Sequence, residues 1–347
     1  MPKKRLGPIT MLTLFVLFVI STTLGDAREI MDMAGRKVML PDSIKKVYAP
    51  SAYGSYIMYS IDQSLLAGLI FSLKEEEKKY FRKETQDLPV IGSLFGQRQT
   101  GSIDLLVKAK PDLIILWATK KSALGEKAEE SLKKLSLPYV YAVAETIDDY
   151  PDVYLFLGRL LGREERTETL AGYSRETLSE ARAVMSRIPA NRRLKIYYAE
   201  EVDGLSTECD DSIHAELLKL AGDGNVHRCR AANHIGMDKL SLEQVKLYDP
   251  DVIVAQEKVF FEKVFKAPAW GSVKAVREGR VYLIPRIPFN WFDRPPSFMR
   301  ILGLRWLMSS LYPDEYRIDI VKEAREFYKL FLDVDVRDEE MRNIIYP

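Results

Sequence analysis

One motif occurs in both halves of the chain, and it constrains the fold more than any other feature of the sequence. Residues 102–116 read SIDLLVKAKPDLIIL, and residues 241–255 read SLEQVKLYDPDVIVA. In each copy a Ser is followed two positions later by an acidic residue, which is typical of a helix N-terminus. Pro-Asp then leads into a short apolar run, which predicts a buried parallel strand. We interpret the repeat as an approximate internal duplication that produces two similar α/β lobes.

Other short apolar segments alternate with helical segments around each copy. A small hairpin that turns at Ala34-Gly35 is predicted first. Further strands are predicted at residues 65–71 (LLAGLIF), 88–93 (LPVIGS), 138–144 (PYVYAVA), 194–200 (LKIYYAE) and 280–285 (RVYLIP). This alternation predicts an α/β protein with two Rossmann-like lobes and mainly parallel sheets.

A long segment between the two halves is expected to be one helix. Residues 164–186 contain no Pro and a single Gly, and Pro189 follows them. If the segment is helical throughout, it spans roughly 34 Å at ~1.5 Å per residue. We therefore divide the chain into an N-terminal α/β lobe (28–150), an interlobe backbone helix region (151–188) and a C-terminal α/β lobe (189–347). A stiff helical connection permits only small relative movement of the lobes.

The first 27 residues have the composition of a secretory signal peptide. MPKKRLGP is basic, ITMLTLFVLFVIS is apolar, and TTLGDA has small residues, so cleavage is expected after Ala27. A permanent membrane anchor is the alternative, but the apolar run is too short to span a bilayer comfortably. Cys is absent near the cut, so no lipid anchor is expected. The sequence therefore predicts a protein exported to the periplasm.

Charge and motifs exclude several classes of function. The 51 basic and 50 acidic residues become 48 and 49 when Lys3, Lys4, Arg5 and Asp26 are removed, a net charge of −1. A near-zero balance without a basic tract argues against a nucleic-acid partner. The sequence contains no Gly-x-Ser-x-Gly, dinucleotide fingerprint or phosphate-binding loop. We therefore expect a monomeric binding protein that is not an enzyme and has no cofactor.

Candidate ligand-binding residues lie in the loops that follow the predicted strands. Ligands of open parallel sheets bind beyond the carboxyl ends of the strands. These loops contain small residues, hydrogen-bond donors, aromatic rings and the positive charges of Arg286 and Arg294, which suit a compact anion or a chelate. The candidates are Ser51, Tyr53, Gly92, Ser93, Trp117, Asn233, His234, Arg286, Trp291 and Arg294. For each aromatic residue, packing at the lobe edge is the alternative.

All the Cys and His residues fall within a single stretch of the sequence, from Cys209 to His234. Two Cys in an exported chain are most simply a Cys209–Cys229 disulfide. A metal site is the alternative, but the spacing matches no structural zinc pattern, so we expect none. His214 is interpreted as a surface or core residue, whereas His234 has the better claim to a cleft.

Several segments resemble the periplasmic solute-binding proteins of ABC importers for iron–siderophore complexes, haem, cobalamin, and molybdate or tungstate. The segments are DMAGRKVMLPDSIKKVYA, LPVIGS, GLSTECDDSIHAELLKLAGDGNV, WGSVKAVREGRVYLIP and both copies of the duplicated unit. The closing PFNWFDRPPSFMRILGLRWLMSSLYPD is similar to a subgroup with molybdate/tungstate binders and presumed iron-complex binders. The resemblance implies two lobes joined by one helix, and partners that comprise an ABC permease, its ATPase and a small metal-containing ligand.

The resemblance also implies roles for particular residues. An acidic residue on each lobe would dock with the permease, and these positions are Asp104 and Glu243; family members often have Glu at the first. Alternatively, both are simply acids favoured at a helix N-terminus. In residues 287–297, IPFNWFDRPPS, Trp291 and Phe289 would form an apolar wall and Arg294 would bind an oxyanion or carboxylate. Alternatively, Arg294 pairs with Asp293 or with a neighbouring carboxylate.

The identity of the ligand stays open at this point. An iron complex of siderophore or haem type is the leading expectation, and molybdate or tungstate is the alternative. A chelate needs a wide aromatic groove, whereas a bare tetrahedral oxyanion needs a small cage of N–H and hydroxyl donors. A secreted sensor or scaffold that uses the cleft for signalling is an alternative from another class.

Overall fold

The structure is a computed structural model that describes residues 27–94, 101–118, 126–231 and 236–347. Its strands are β1 (Ala27–Met31), β2 (Lys37–Pro41), β3 (Val47–Tyr48), β4 (Leu113–Ala118), β5 (Tyr139–Val143), β6 (Ile196–Ala199), β7 (Ser206–Thr207), β8 (Asp238–Lys239), β9 (Val252–Ala255) and β10 (Val281–Leu283). Its α-helices are α1 (Ala52–Ile61), α2 (Glu75–Lys78), α3 (Lys83–Gln86), α4 (Ile103–Ala109), α5 (Glu126–Lys134), α6 (Tyr150–Leu161), α7 (Glu164–Arg187), α8 (Glu216–Leu220), α9 (Leu242–Tyr248), α10 (Lys258–Val264), α11 (Lys274–Arg277), α12 (Met299–Leu311), α13 (Ile320–Leu332) and α14 (Asp338–Ile345).

Each half of the chain builds a three-stranded parallel sheet. The order is β3-β4-β5 in the N-terminal lobe and β10-β9-β6 in the C-terminal lobe. The hairpin β1-β2 is antiparallel and adjoins the first sheet through the Met33 N–H, which donates to the Tyr141 carbonyl. The predicted α/β fold with two lobes and mainly parallel sheets is confirmed.

The duplicated unit has the same local structure in both lobes. The hydroxyl groups of Ser102 and Ser241 cap α4 and α9 by accepting hydrogen bonds from N–H groups three residues later, at 3.3 and 3.1 Å. Both helices end at a residue with left-handed backbone, with φ of 50° at Lys110 and 42° at Asp249. A tight, capped helix therefore returns the chain directly into the central strand of each sheet.

The Pro-Asp pair that follows each helix explains how that strand finds its neighbour. The carboxylate of Asp112 accepts the N–H of Lys46 at 2.8 Å, and the carboxylate of Asp251 accepts the N–H of Lys195 at 2.8 Å. Lys46 and Lys195 directly precede the paired strands β3 and β6. These side chains therefore fix the start of parallel pairing.

Two segments predicted as strands in the N-terminal lobe form only isolated bridges. Residues 65–71 and 88–93 contribute the single pairs Val47↔Leu66 and Leu69↔Val90. Pro89 has no N–H with which to extend a ladder. The prediction of two further regular strands is wrong, although both segments still lie beside the sheet.

The long connecting helix is α7, which ends one residue beyond the predicted segment and packs against α6 and α12. Alternating residues of each central strand face two different cores. Leu113 and Val252 contribute to one core that both lobes share with α7, α12 and α13, whereas Ile114 and Ile253 contribute to separate outer cores. Because the lobes share a core, we expect their relative movement to be small.

The signal-peptide prediction falls on residues 1–27, of which only Ala27 belongs to the described residues, at the start of β1. Across the described ranges, we find no helix with the length and apolar character required to cross a membrane.

Candidate functional site

The N-terminal wall of the interlobe cleft is an aromatic stack on the first helix. Ser51 caps α1 by accepting the N–H of Gly54 at 3.4 Å, which places Tyr53 in the first turn. The ring of Tyr53 stacks on that of Trp117 at the end of β4, with centroids 5.7 Å apart and planes inclined by 19°. Trp117 in turn meets Tyr150 edge to face at 6.0 Å. The predicted residues Ser51, Tyr53 and Trp117 therefore lie together.

Gly92 and Ser93 form hydrogen bonds that position the backbone beside this stack. Gly92 has φ of 88°, a conformation that suits glycine, and its carbonyl accepts a hydrogen bond from the Tyr48 hydroxyl. The hydroxyl of Ser93 donates to the Pro50 carbonyl at 3.1 Å. These two candidates thus hold the loop that precedes α1, next to Ser51.

The C-terminal wall contains a network of charged side chains around Arg294. Its Nε donates to Glu200 at 2.7 Å and lies 3.5 Å from Asp293, and its Nη2 donates to Glu208. Nδ1 of His214 lies 2.6 Å from the other oxygen of Asp293. Asp293 and Glu200 are 0% and 1% exposed. Arg294 is therefore bound by neighbouring carboxylates, which was the alternative considered from the sequence.

Burial perturbs the titration of this network. Desolvation raises the pKa of Glu200 to about 7 and outweighs the hydrogen bond and charge of Arg294, which act to lower it; repulsion from Asp293 and Glu208 adds a smaller increase. For His214, desolvation acts to lower the pKa, but the hydrogen bond and charge of Asp293 outweigh it, so the pKa is raised. Burial likewise raises the pKa of Tyr53 to about 12. Glu200 therefore changes charge near neutral pH, and His214 keeps its proton to a higher pH than an ordinary imidazole.

A second buried Arg links the two lobes at the base of the cleft. Nη2 of Arg300 donates to Glu216 at 2.7 Å and to the Ile213 carbonyl at 3.1 Å. The other oxygen of Glu216 accepts the N–H of Ile147, from the N-terminal lobe, at 3.0 Å. These hydrogen bonds fix the position of the C-terminal wall relative to the Tyr53–Trp117 stack.

Phe289 bridges the lobes and borders an open groove. Its ring stacks on Tyr56 at 4.0 Å and on Tyr59 at 5.5 Å. The groove on this flank has a volume of about 900 Å³ and is lined by both lobes, with Phe71, Arg286 and the three rings among its walls; Arg294 also lines it and joins it to the charged network. The cleft thus combines aromatic surface with polar groups.

Two predicted site residues have a different environment from the one expected. Trp291 is fully buried, donates its indole N–H to the Ile287 carbonyl at 3.0 Å and packs against Tyr328. The expected role of Trp291 as a cleft wall is wrong for this structure, because the close approach of Gly303 in α12 holds its backbone in the core. Of the aromatic residues Trp291 and Phe289, Phe289 lines the groove. Arg286 lines the groove but is paired with Glu257 at 3.1 Å.

The remaining candidates lie at the edges of the site or on the surface. Cys209 and Cys229 form a disulfide that ties residue 209, next to Glu208, to the segment that leads to residue 231. Asn233 and His234 lie outside the described residues. Asp104 and Glu243 are exposed at equivalent positions in the first turns of α4 and α9.

Sequence reasoning missed His214, Glu200, Glu208 and Asp293 as members of the site. Glu200 directly follows β6, so its position at the carboxyl end of a strand was the available signal. Glu208 and His214 join the network only through contacts between segments that are distant in the sequence, whereas Asp293 directly precedes Arg294 and was considered only as its pairing partner.

Two α/β lobes, one long connecting helix and a cleft at the strand ends define a two-lobed solute-binding protein. The chain belongs to the periplasmic binding protein family, whose model matches residues 74–288. The family implies a location outside the cytoplasm. Its relatives are binding proteins, which confirms that the chain is not an enzyme.

Two proteins that are similar in sequence bear names that state a ligand. The chain is 23% identical over 213 residues to the Fe(3+)-citrate-binding protein YfmC of Bacillus subtilis, and the match covers 60% of this chain and 65%, just under two thirds, of that protein. It is 23% identical over 199 residues to a vitamin B12-binding protein of Vibrio cholerae, covering 57% and 67%.

Solved structures match over nearly the whole described chain. An ABC transporter solute binding protein from Sulfurospirillum deleyianum superimposes with a TM-score of 0.84 and 36% identity, covering 92% of this chain and 99% of that one. The molybdate periplasmic binding protein MolA of Haemophilus influenzae gives 0.70 and 20% identity, covering 89% and 99%. At 20% identity the second likeness shows the fold alone.

Proposed function

We propose that this protein captures an iron complex in the interlobe cleft outside the cytoplasm and delivers it to an ABC importer. The observation that supports the ligand class is the form of the cleft. The Tyr53–Trp117 stack and the groove of about 900 Å³ offer broad aromatic surface, which suits the organic shell of a chelate. Two of the similar proteins are named for metal-containing complexes, Fe(3+)-citrate and vitamin B12.

The state of Arg294 weighs against a bare tetrahedral oxyanion. An oxyanion needs several free N–H and hydroxyl donors that converge on one point. Here two donor nitrogens of the guanidinium already bind Glu200 and Glu208. The described C-terminal wall therefore lacks such a cage, and the iron complex is favoured over molybdate or tungstate.

Delivery requires a surface that the importer recognises from both lobes. Asp104 and Glu243 occupy equivalent exposed positions on the duplicated helices. Each of two related halves of a permease would therefore contact one carboxylate. The shared core keeps the distance between them nearly constant. We assign these two acids to permease docking as part of the proposal.

Tryptophan fluorescence provides a direct test of the ligand. Trp117 is partly exposed in the cleft, whereas Trp270, Trp291 and Trp306 are buried. Titration with ferric trihydroxamate, ferric citrate, haem and cyanocobalamin should give saturable quenching for at least one iron complex. Trp117→Phe is the matched variant, which should lose most of the quenching but still release heat on binding in calorimetry.

The titration also separates the alternatives. Saturable binding of molybdate or tungstate, without binding of any iron complex, would show that the ligand is an oxyanion. The proposed role in transport would then still stand. Growth on the bound complex as sole iron source should require the gene for this protein. Binding without any such requirement would instead favour a sensor or scaffold.

A further inference from the structure

The charged network around Arg294 and Arg300 in the C-terminal wall contains more carboxylates than cations. Arg294 contacts Glu200, Glu208 and Asp293, and Arg300 contacts Glu216. Two guanidinium groups therefore face four carboxylates, and when all four are ionised, as above the pKa of Glu200, even a protonated His214 leaves a net negative charge. A wall built to bind a polyanion would have the opposite balance.

Two carboxylate oxygens in this wall lack a hydrogen bond. Oε2 of Glu200 and Oδ2 of Asp293 are buried and accept no hydrogen bond from the described residues; Nε of Arg294 lies 3.5 Å from Oδ2 of Asp293. The other oxygen of each carboxylate is bound, to Arg294 and His214 respectively. An anionic ligand group placed against Arg294 would meet these incompletely compensated charges at short range, where repulsion is weakly screened.

Arg294 nevertheless retains the ability to donate. Its Nη1 has no hydrogen-bond partner in the described parts of the chain, and the residue lines the groove. The carboxylates at Nε and Nη2 hold the guanidinium in one orientation, and they offset its charge. The result is an oriented donor in a wall of net negative charge, which suits an uncharged acceptor such as a carbonyl oxygen.

We propose that Glu200, Glu208 and Asp293 make the cleft select metal complexes whose outer surface presents uncharged hydrogen-bond acceptors, and reject polyanionic complexes. This inference rests on the proposed function and specifies the charge of its ligand. Glu200 and Glu208 act through Arg294 as positioning residues, and together with Asp293 they determine specificity by repulsion. A purely structural role for the three acids would change the affinity for all ligands together.

Two ferric complexes that differ in charge test the inference. A ferric trihydroxamate is neutral, whereas a ferric tricatecholate carries three negative charges around the same metal. Calorimetry at pH 8 should show that the wild-type protein binds the trihydroxamate at least tenfold more tightly. In Glu200→Gln and Glu208→Gln, the affinity for the tricatecholate should rise by about tenfold, and that for the trihydroxamate should change by less than about threefold.

Glu315→Gln is the control, because it makes the same charge change in an ion pair with Arg192 outside the cleft. It should leave both affinities as in the wild-type protein. A wild-type preference for the tricatecholate, or a ratio of affinities that the two cleft variants leave unchanged, would overturn the inference without affecting the proposed function. If neither these complexes nor the other iron complexes bind, the proposed function fails, and the inference fails with it.

Discussion

Phe289 of the C-terminal lobe stacks on Tyr56 of the N-terminal lobe, with ring centroids 4.0 Å apart and planes inclined by 29°. The contact closes one flank of the cleft and extends the shared core to the edge of the groove. Aromatic pairs of this kind add to the energy of simple burial. Phe289 thus serves both as a ligand wall and as a link between lobes.

Replacement of Phe289 by Ala should therefore destabilise the whole protein. The side chain is 7% exposed, and deletion of a buried Phe costs about 3–5 kcal/mol. Urea denaturation should show one transition at lower denaturant concentration. Phe71→Ala provides the control in the same groove, because Phe71 is 47% exposed and its loss should cost less than about 1 kcal/mol. Equal effects of the two substitutions would contradict the linking role.

Tyr53 should contribute to ligand binding through its ring more than through its hydroxyl. The ring stacks on Trp117, and no hydrogen bond of the hydroxyl is found among the described residues. Tyr53→Phe should keep the affinity for an iron complex within about threefold, whereas Tyr53→Ala should weaken it by about tenfold. Calorimetric titration of both variants measures this difference. A large loss in Tyr53→Phe would show that the hydroxyl binds the ligand directly.

The fold was largely predictable because its signals are local. In each duplicated unit, the Ser cap, the left-handed helix end and the Pro-Asp pair that precedes the strand all lie within a segment of 15 residues. The charged network was not predictable in the same way. Glu200 and Arg294 meet across 94 residues, and nothing near either residue in the sequence indicates that pairing.

Trp291 shows why residue type alone misplaces a site residue. A Trp in a proline-rich loop at the end of a strand has the composition of a binding wall. The side chain of Trp291 lies in the core because Gly303, which has no side chain, lets the Trp291 backbone pack closely against α12. That contact depends on tertiary packing. Phe289, two residues earlier, points between the lobes instead.

The disulfide should stabilise the protein through the loop that it closes. Cys209 and Cys229 are 20 residues apart, and cross-linking a loop of this size is worth about 3 kcal/mol in the chain-entropy model. Cys209→Ser/Cys229→Ser should therefore unfold at lower urea concentration. Ligand affinity should also fall, because Cys209 adjoins Glu208. If reduction of the wild-type protein changes neither property, the bridge has no such role.

The docking assignment predicts a separation of binding from uptake. Asp104→Ala/Glu243→Ala should bind the iron complex with unchanged affinity, because both acids are exposed on helices outside the cleft. Uptake of the radiolabelled complex by cells should fall by more than about tenfold. Glu339→Ala, in the exposed first turn of α14, is the control and should transport normally. Normal uptake by the double variant would refute the assignment.

Stability should fall as the pH rises through the range in which Glu200 ionises. Because its pKa is raised from 4.5 to about 7 in the folded protein, the folded state binds the proton more tightly than the unfolded state does. The contribution of this group is therefore fully present below about pH 4.5 and is lost as the pH approaches 7, a change of up to about 3 kcal/mol. His214 acts in the same direction, since its pKa is also raised.

The titratable and charged groups that interact with Glu200 include Arg294, Asp293, Glu208, Tyr197 and Tyr198. Substitution of Glu200 alone isolates its own contribution from theirs. Urea denaturation at pH 5, 6, 7 and 8 should show a falling free energy of unfolding for the wild-type protein. The slope should be clearly smaller for Glu200→Gln, because an amide cannot ionise. Groups with a lowered pKa, such as Asp62 and Asp251, oppose this trend only at lower pH. Parallel curves for the two proteins would show that Glu200 does not titrate in this range, and that burial does not dominate its ionisation.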